Sequence, residues 1–190
     1  QVLMGMTDLG GALDILSTFR PSENLLLDLY DYPDEVKRLT WELSGLWKRF
    51  YRELNDVLQP VNPGYSDWSQ IYSDKPSYIL QCDFSYMIGP DMFQEFVEPE
   101  LESTCSYLSN TFYHLDGVGQ LPHLDSILAI KNLGGVQWVP GEGKPTQSHW
   151  PEVYHRIQLA GKNSQFWEGF NGLNILISCL GSGKGIHHTT

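Results

Sequence analysis

The chain has 190 residues, 41% of them hydrophobic, which is enough for one domain with a proper core. Twelve basic residues face 23 acidic ones, and the net charge of −11 argues against a nucleic-acid binder; its plain reading is solubility. No apolar run approaches the roughly 18 residues of a membrane-spanning helix, and the opening Gln1-Val2-Leu3-Met4 shows no signal-peptide pattern. Cys82, Cys105 and Cys179 are odd in number and widely spaced. They form neither a CxxC zinc pattern nor a disulfide framework, which fits a reducing cytoplasm.

From Pro33 to Leu58 the apolar positions Val36, Leu39, Leu43, Leu46, Trp47, Phe50, Leu54, Val57 and Leu58 keep a helical period. Pro33 suits the first turn, and Asp34-Glu35 complement its positive dipole end. Pro60 to Pro76 reads as loop, with Pro63-Gly64 and Asp74-Lys75-Pro76 as breakers. Tyr78–Cys82 reads as a strand ending at Asp83. Gly89-Pro90 starts a helix carrying Phe93, Phe96, Val97, Leu101 and Leu108, which Pro99 should kink or divide. Further strands are expected at Thr111–Leu115, Gly135–Val139, Ser164–Trp167 and Ile186, with helical patterns at Leu121–Ile130, Trp150–Ala160 and Leu173–Leu180 between them.

Strands roughly 20 to 30 residues apart, alternating with helices, predict an α/β protein with a parallel sheet. Spacing alone does not separate an open doubly wound sheet from a β/α barrel. The chain ends directly after a strand with no helix to cover it, so one domain truncated at both ends is expected over residues 1–190.

In a parallel β/α protein the polar tip after each strand is where ligands sit. His114 and Asp116 stand two apart on a strand, so both can address one ion or one substrate. The plainer alternative has Asp116 capping the next turn and His114 half buried. Asp83 can act as a general acid or base, stabilise a developing cation, or simply cap its loop. Cys82 reads as a small core residue. His123 and Asp125 repeat the spacing inside a helical segment, where residues two apart diverge; a capping or surface role is expected.

Gln137-Trp138, followed by Pro140-Gly141-Glu142-Gly143, offers an aromatic wall and a loop whose amides can face a ligand, so Gln137, Trp138 and Gly141 are candidate substrate contacts. A tight turn with Trp138 in the core is the alternative. Gly181-Ser-Gly-Lys-Gly185 follows a helix and lacks the Ser or Thr of a phosphate loop, so it is not read as a nucleotide site. Of His187 and His188, adjacent on a strand, only one can face a pocket.

Three motifs in order carry a resemblance: Gln81-Cys-Asp-Phe-Ser-Tyr-Met-Ile-Gly-Pro-Asp-Met-Phe-Gln-Glu-Phe-Val-Glu-Pro99, Tyr-His-Leu-Asp-Gly at 113–117 and Gln-Trp-Val-Pro-Gly at 137–141. Together, over about Asp28 to Lys184, they resemble the uroporphyrinogen decarboxylase superfamily. That resemblance implies a partial (β/α)8 TIM barrel of about five strands with their helices. Its methyltransferase branch implies methyl transfer between a small methylated compound and a corrinoid protein or thiol, with zinc or another divalent metal. His114 would then correspond to a zinc ligand, with Asp116 where the family has cysteine; an aspartate is the harder ligand. Its decarboxylase branch implies action on uroporphyrinogen in porphyrin biosynthesis, with Asp83 as the cation stabiliser and no cofactor. A porphyrinogen's carboxylates need cationic partners, and the strand tips here are acidic or neutral. A third reading is a noncatalytic barrel that binds a ligand or a corrinoid protein. The resulting expectation is an enzyme with Asp83, His114 and Asp116 in catalytic or metal-binding roles, a small-molecule substrate, and no nucleic acid or membrane partner.

Overall fold

The computed structural model describes residues 4–189. Three helices come first: α1 (Ala12–Phe19), α2 (Ser22–Asp31) and α3 (Pro33–Leu58). The long helix has the bounds its periodicity predicts, with Pro33 in its first turn. Its buried stripe runs Val36, Thr40, Ser44, Trp47, Tyr51 and Asn55, while Leu46, Phe50 and Val57 are exposed. Trp47 stacks on Tyr51 at 5.3 Å, and both meet Tyr78 edge-on, at 5.1 and 6.2 Å. The loop that follows contains a small antiparallel pair, β1 (Tyr65–Ser66) and β2 (Tyr72–Ser73).

Five parallel strands form the sheet: β3 (Ser77–Gln81), β4 (Asn110–Asp116), β5 (Gly135–Val139), β6 (Asn163–Phe166) and β7 (Ile186–His188). Between them come α4 (Pro90–Phe96), α5 (Glu98–Tyr107), α6 (Leu124–Ala129), α7 (Pro151–Leu159) and α8 (Phe170–Leu180). The expected division at Pro99 is present: α4 stops at Phe96, and α5 restarts with Pro99 in its first turn. Each strand pairs with its neighbours in sequence, giving the order β3-β4-β5-β6-β7. A doubly wound sheet reverses direction at a switch point; a monotonic order is compatible with part of an α/β barrel.

The two faces of the sheet differ. Tyr78, Leu80, Tyr113, Leu115, Val136, Trp138 and Phe166 join one apolar core with helix residues such as Leu13, Phe93, Leu101, Ile127, Val153 and Leu176. On the other face the register pairs Ile79 with Phe112 and Gly135, and, one layer further along, Gln81 with His114, Gln137, Gln165 and His187. That second layer is polar on all five strands. A hollow of about 380 Å³ opens toward the amino-terminal ends of the strands, lined by Ile71, Tyr72, Ile79, Phe112, Asn163 and His187 among others.

The outer edge of β3 is closed by side chains. The Ile79 N–H donates to Asp67 Oδ2 at 2.8 Å, and the Ser77 carbonyl accepts from the Tyr51 hydroxyl at 3.0 Å. No helix among the described residues is long and apolar enough to cross a membrane.

Candidate active site

Asp83 opens a 3-10 turn (Asp83–Met87) directly after β3, while His114 and Asp116 end β4. One ligating atom from each of the three lies within 4.8 Å of the others. The sequence-predicted trio therefore meets at one end of the sheet. Asp83 is exposed, and the other two are half buried. Nε2 of His114 lies 3.9 Å from Asp116 Oδ2, too far for a direct hydrogen bond.

Asp83 is held from below by a residue the sequence did not flag. Asp14, on α1, accepts from the Phe84 N–H at 2.8 Å and the Asp83 N–H at 3.1 Å. Gly11 lets α1 come this close: a Cβ there would stand 2.2 Å from the Gln81 carbonyl oxygen. Burial pushes the Asp83 carboxyl above its ordinary value, and the Asp14 carboxylate pushes it the same way; His114 opposes them. Asp14 is itself raised by burial, against the hydrogen bonds it accepts.

His114 is framed on two sides. The Trp68 ring meets it edge-on at 5.0 Å, and its Nδ1 is hydrogen-bonded to Gln137 Oε1. Gln137 Nε2 donates to Gln165 Oε1 at 2.6 Å, and Gln165 Nε2 donates to the Ser69 carbonyl at 2.7 Å. Gln137, expected to touch substrate, is thus buried, with its carboxamide bonded to His114 and Gln165 within the sheet face.

Trp138 corrects the sequence reading. It is fully buried on the helix-covered face, edge-on to Trp150 at 5.5 Å, and forms no wall of the Asp83–His114–Asp116 site. Successive strand residues point to opposite faces, so Gln137 and Trp138 cannot line one pocket. Gly141 does reach the site's surroundings. With φ +96° it turns the loop after β5 beside Gly117 and helps line a groove of about 420 Å³. Asp116, Val139, Lys144, Trp167 and Glu168 line it too, so the groove meets the trio at Asp116. Burial pushes the Glu168 carboxyl up, but hydrogen bonds from the Ser148 N–H and hydroxyl outweigh it and hold the group below its ordinary value.

His123 is a second correction. Instead of a cap or surface residue it is fully buried, stacked on Phe93 at 4.5 Å, with Nε2 donating to the Ser85 carbonyl at 2.9 Å. Asp125 does lie on the surface, bonded to Arg156 at 2.7 Å. Cys82 is buried, as a core residue should be. Of the terminal histidines, His187 lines the hollow against Phe112, whereas His188 lies against Phe166 and Phe170.

The trio fits a divalent cation by donor chemistry. Two carboxylates and one imidazole are hard-to-borderline ligands suited to zinc, manganese or iron(II), and among the described residues no lysine or arginine is ion-paired with any of the three. Comparison of the chain with protein-family models, with curated proteins and with solved structures finds no match.

Proposed function

We propose that Asp83, His114 and Asp116 form the centre of a metal-dependent enzyme built on part of a β/α barrel of the uroporphyrinogen decarboxylase type. A small molecule held in the adjoining groove is its substrate. The observation that carries this reading is the convergence of three ligating side chains, from the ends of two neighbouring strands, to within 4.8 Å at the mouth of a groove. A divalent ion there would polarise a substrate oxygen or stabilise a thiolate or hydroxide. The residues divide the remaining work. His114 and Asp116 hold one side of the site from β4, and Asp83 faces them from the turn after β3. Glu168, held ionised by Ser148, sets the charge at the far end of the groove.

The reaction we favour is methyl transfer from a small methylated compound to a thiol or to a corrinoid carried by a separate protein, as the motif resemblance implies. Decarboxylation of a polycarboxylate has less support. The groove is lined by one cation, Lys144, beside Asp116, Glu142 and Glu168.

Zinc titration of the purified protein, followed by calorimetry and metal analysis, tests the centre. Binding of about one equivalent that His114→Ala abolishes, with the fold intact, supports it. Absence of any bound or titratable divalent ion overturns it. Methyl transfer is tested separately, by adding free corrinoid and methylated donors to the metal-loaded protein and following the corrinoid spectrum.

A further inference from the structure

The geometry points to Gln165 as a positioning residue that fixes which nitrogen of His114 carries its proton, with the Ser69 carbonyl as its reference. A backbone carbonyl can only accept a hydrogen bond. The partner of the Ser69 oxygen must therefore be the amide nitrogen of Gln165, which turns Gln165 Oε1 toward Gln137. An oxygen facing Gln137 requires the Gln137 amide nitrogen, and that turns Gln137 Oε1 toward His114. An oxygen facing His114 Nδ1 requires a proton on Nδ1. The orientation of each amide thus follows from one peptide group, and Nε2 of the neutral ring is left with its lone pair on the side of Asp116.

The reference is itself pinned. Asp67 Oδ1 accepts from the Ser69 N–H at 2.9 Å and from the Ser69 hydroxyl at 2.5 Å, and the Gln70 N–H closes on the Asp67 carbonyl at 3.1 Å. Gln70 takes a left-handed φ of +65°, a conformation that a non-glycine residue holds only when its surroundings fix it. The same turn presents Trp68 to the ring of His114. Residues 67–70 therefore hold the imidazole twice, by ring contact and through two buried glutamines.

A ligating histidine whose other nitrogen is tied to an acceptor keeps its ring orientation and tautomer, and loss of such a partner typically weakens metal binding by roughly 10- to 100-fold. The role toward a metal rests on the metal-centre reading above; the tautomer does not.

Nitrogen-15 NMR of the imidazoles in metal-free protein tests the assignment. His114 is expected with its proton on Nδ1. In Gln165→Met the Gln137 amide is free to turn over, so a substantial share of His114 should shift to the Nε2-protonated form and zinc affinity should fall by roughly 10- to 100-fold. Adding Gln137→Glu, whose carboxylate can only accept, should restore the Nδ1 proton. A purely structural role for Gln165 would leave the tautomer unmoved. An Nε2-protonated ring in the unaltered protein, or an Nδ1 proton that persists undiminished in Gln165→Met, overturns the inference. If Gln165→Met does not fold, slow solvent exchange of the Gln137 and Gln165 side-chain amide protons in the unaltered protein supports the relay, and fast exchange overturns it. Failure of the unaltered protein to take up zinc would instead sink the metal centre while leaving the tautomer result standing.

Discussion

His114 and Gln137 are register partners on neighbouring parallel strands, and the carboxamide of one closes on the imidazole of the other. The histidine thus belongs to the sheet on one side and to the cluster with Asp83 and Asp116 on the other. A side chain so placed can be held still by the scaffold while its second nitrogen remains available for chemistry.

Asp116→Cys should shift the metal preference of the site. A thiolate is a softer ligand than a carboxylate, so zinc should bind about tenfold more tightly, ~1.4 kcal/mol, while manganese weakens. Competitive titration with the two ions reads the change; equal effects on both would show that Asp116 does not reach the ion.

Asp14→Ala removes the acceptor shared by the Asp83 and Phe84 N–H groups. Losing these two hydrogen bonds, one exposed and one part-buried, should destabilise the protein by about 0.5–1.5 kcal/mol. Zinc affinity should also drop, because the Asp83 turn loses its anchor. Denaturant melts and calorimetry on the same samples separate the two effects.

Trp138 packs in the helix-side core, so Trp138→Ala should cost about 3–5 kcal/mol. Trp138→Phe should fold and bind zinc with unaltered affinity. A marked loss of ligand or metal binding in the well-folded Phe variant would return Trp138 to the site.

Burial pushes the His123 imidazole below its ordinary value of 6.5, outweighing its hydrogen bonds to the Ser85 and Ile88 backbone. The unfolded chain then binds a proton on His123 that the folded protein refuses, between 6.5 and the depressed value. Stability should accordingly fall as pH drops below about 6.5 and stop falling, for this group, beneath the folded pKa. His123→Gln should flatten that slope in melts taken from pH 7 to pH 5.

Much of this architecture is legible in the sequence because strand and helix periods survive in it. The bounds of α3 and β5 follow directly from apolar spacing and from Pro33, Gly135 and Pro140. The meeting of Asp83 with His114 and Asp116 follows from all parallel strands ending at the same side. Trp138 departs from the pocket reading because adjacent strand residues face opposite sides of the sheet, which puts it on the helix-covered face when Gln137 is on the other. Gln165 carried a signal that could have been used: an amide inside a buried parallel strand needs a partner. Asp14, Trp68 and Ser69 carried none, since their approach depends on how α1 and the long loop fold back over the sheet. His123 departs from its expected surface role because the 3-10 turn at Val118–His123 changes the side-chain period from the one a helix would give.

The side chains along the outer rim of β3 also govern how this molecule behaves in a crowd. An unpaired strand edge is ordinarily a template on which other chains can stack. Here a stranger's backbone arriving at Ile79 and Ser77 meets an N–H and a carbonyl already engaged by Asp67 and Tyr51, and would have to displace a carboxylate and a phenol to pair with them. Asp67 is thus a gatekeeper as well as the anchor of the turn beside His114. Its loss would be felt in solubility at high protein concentration, as well as in the site.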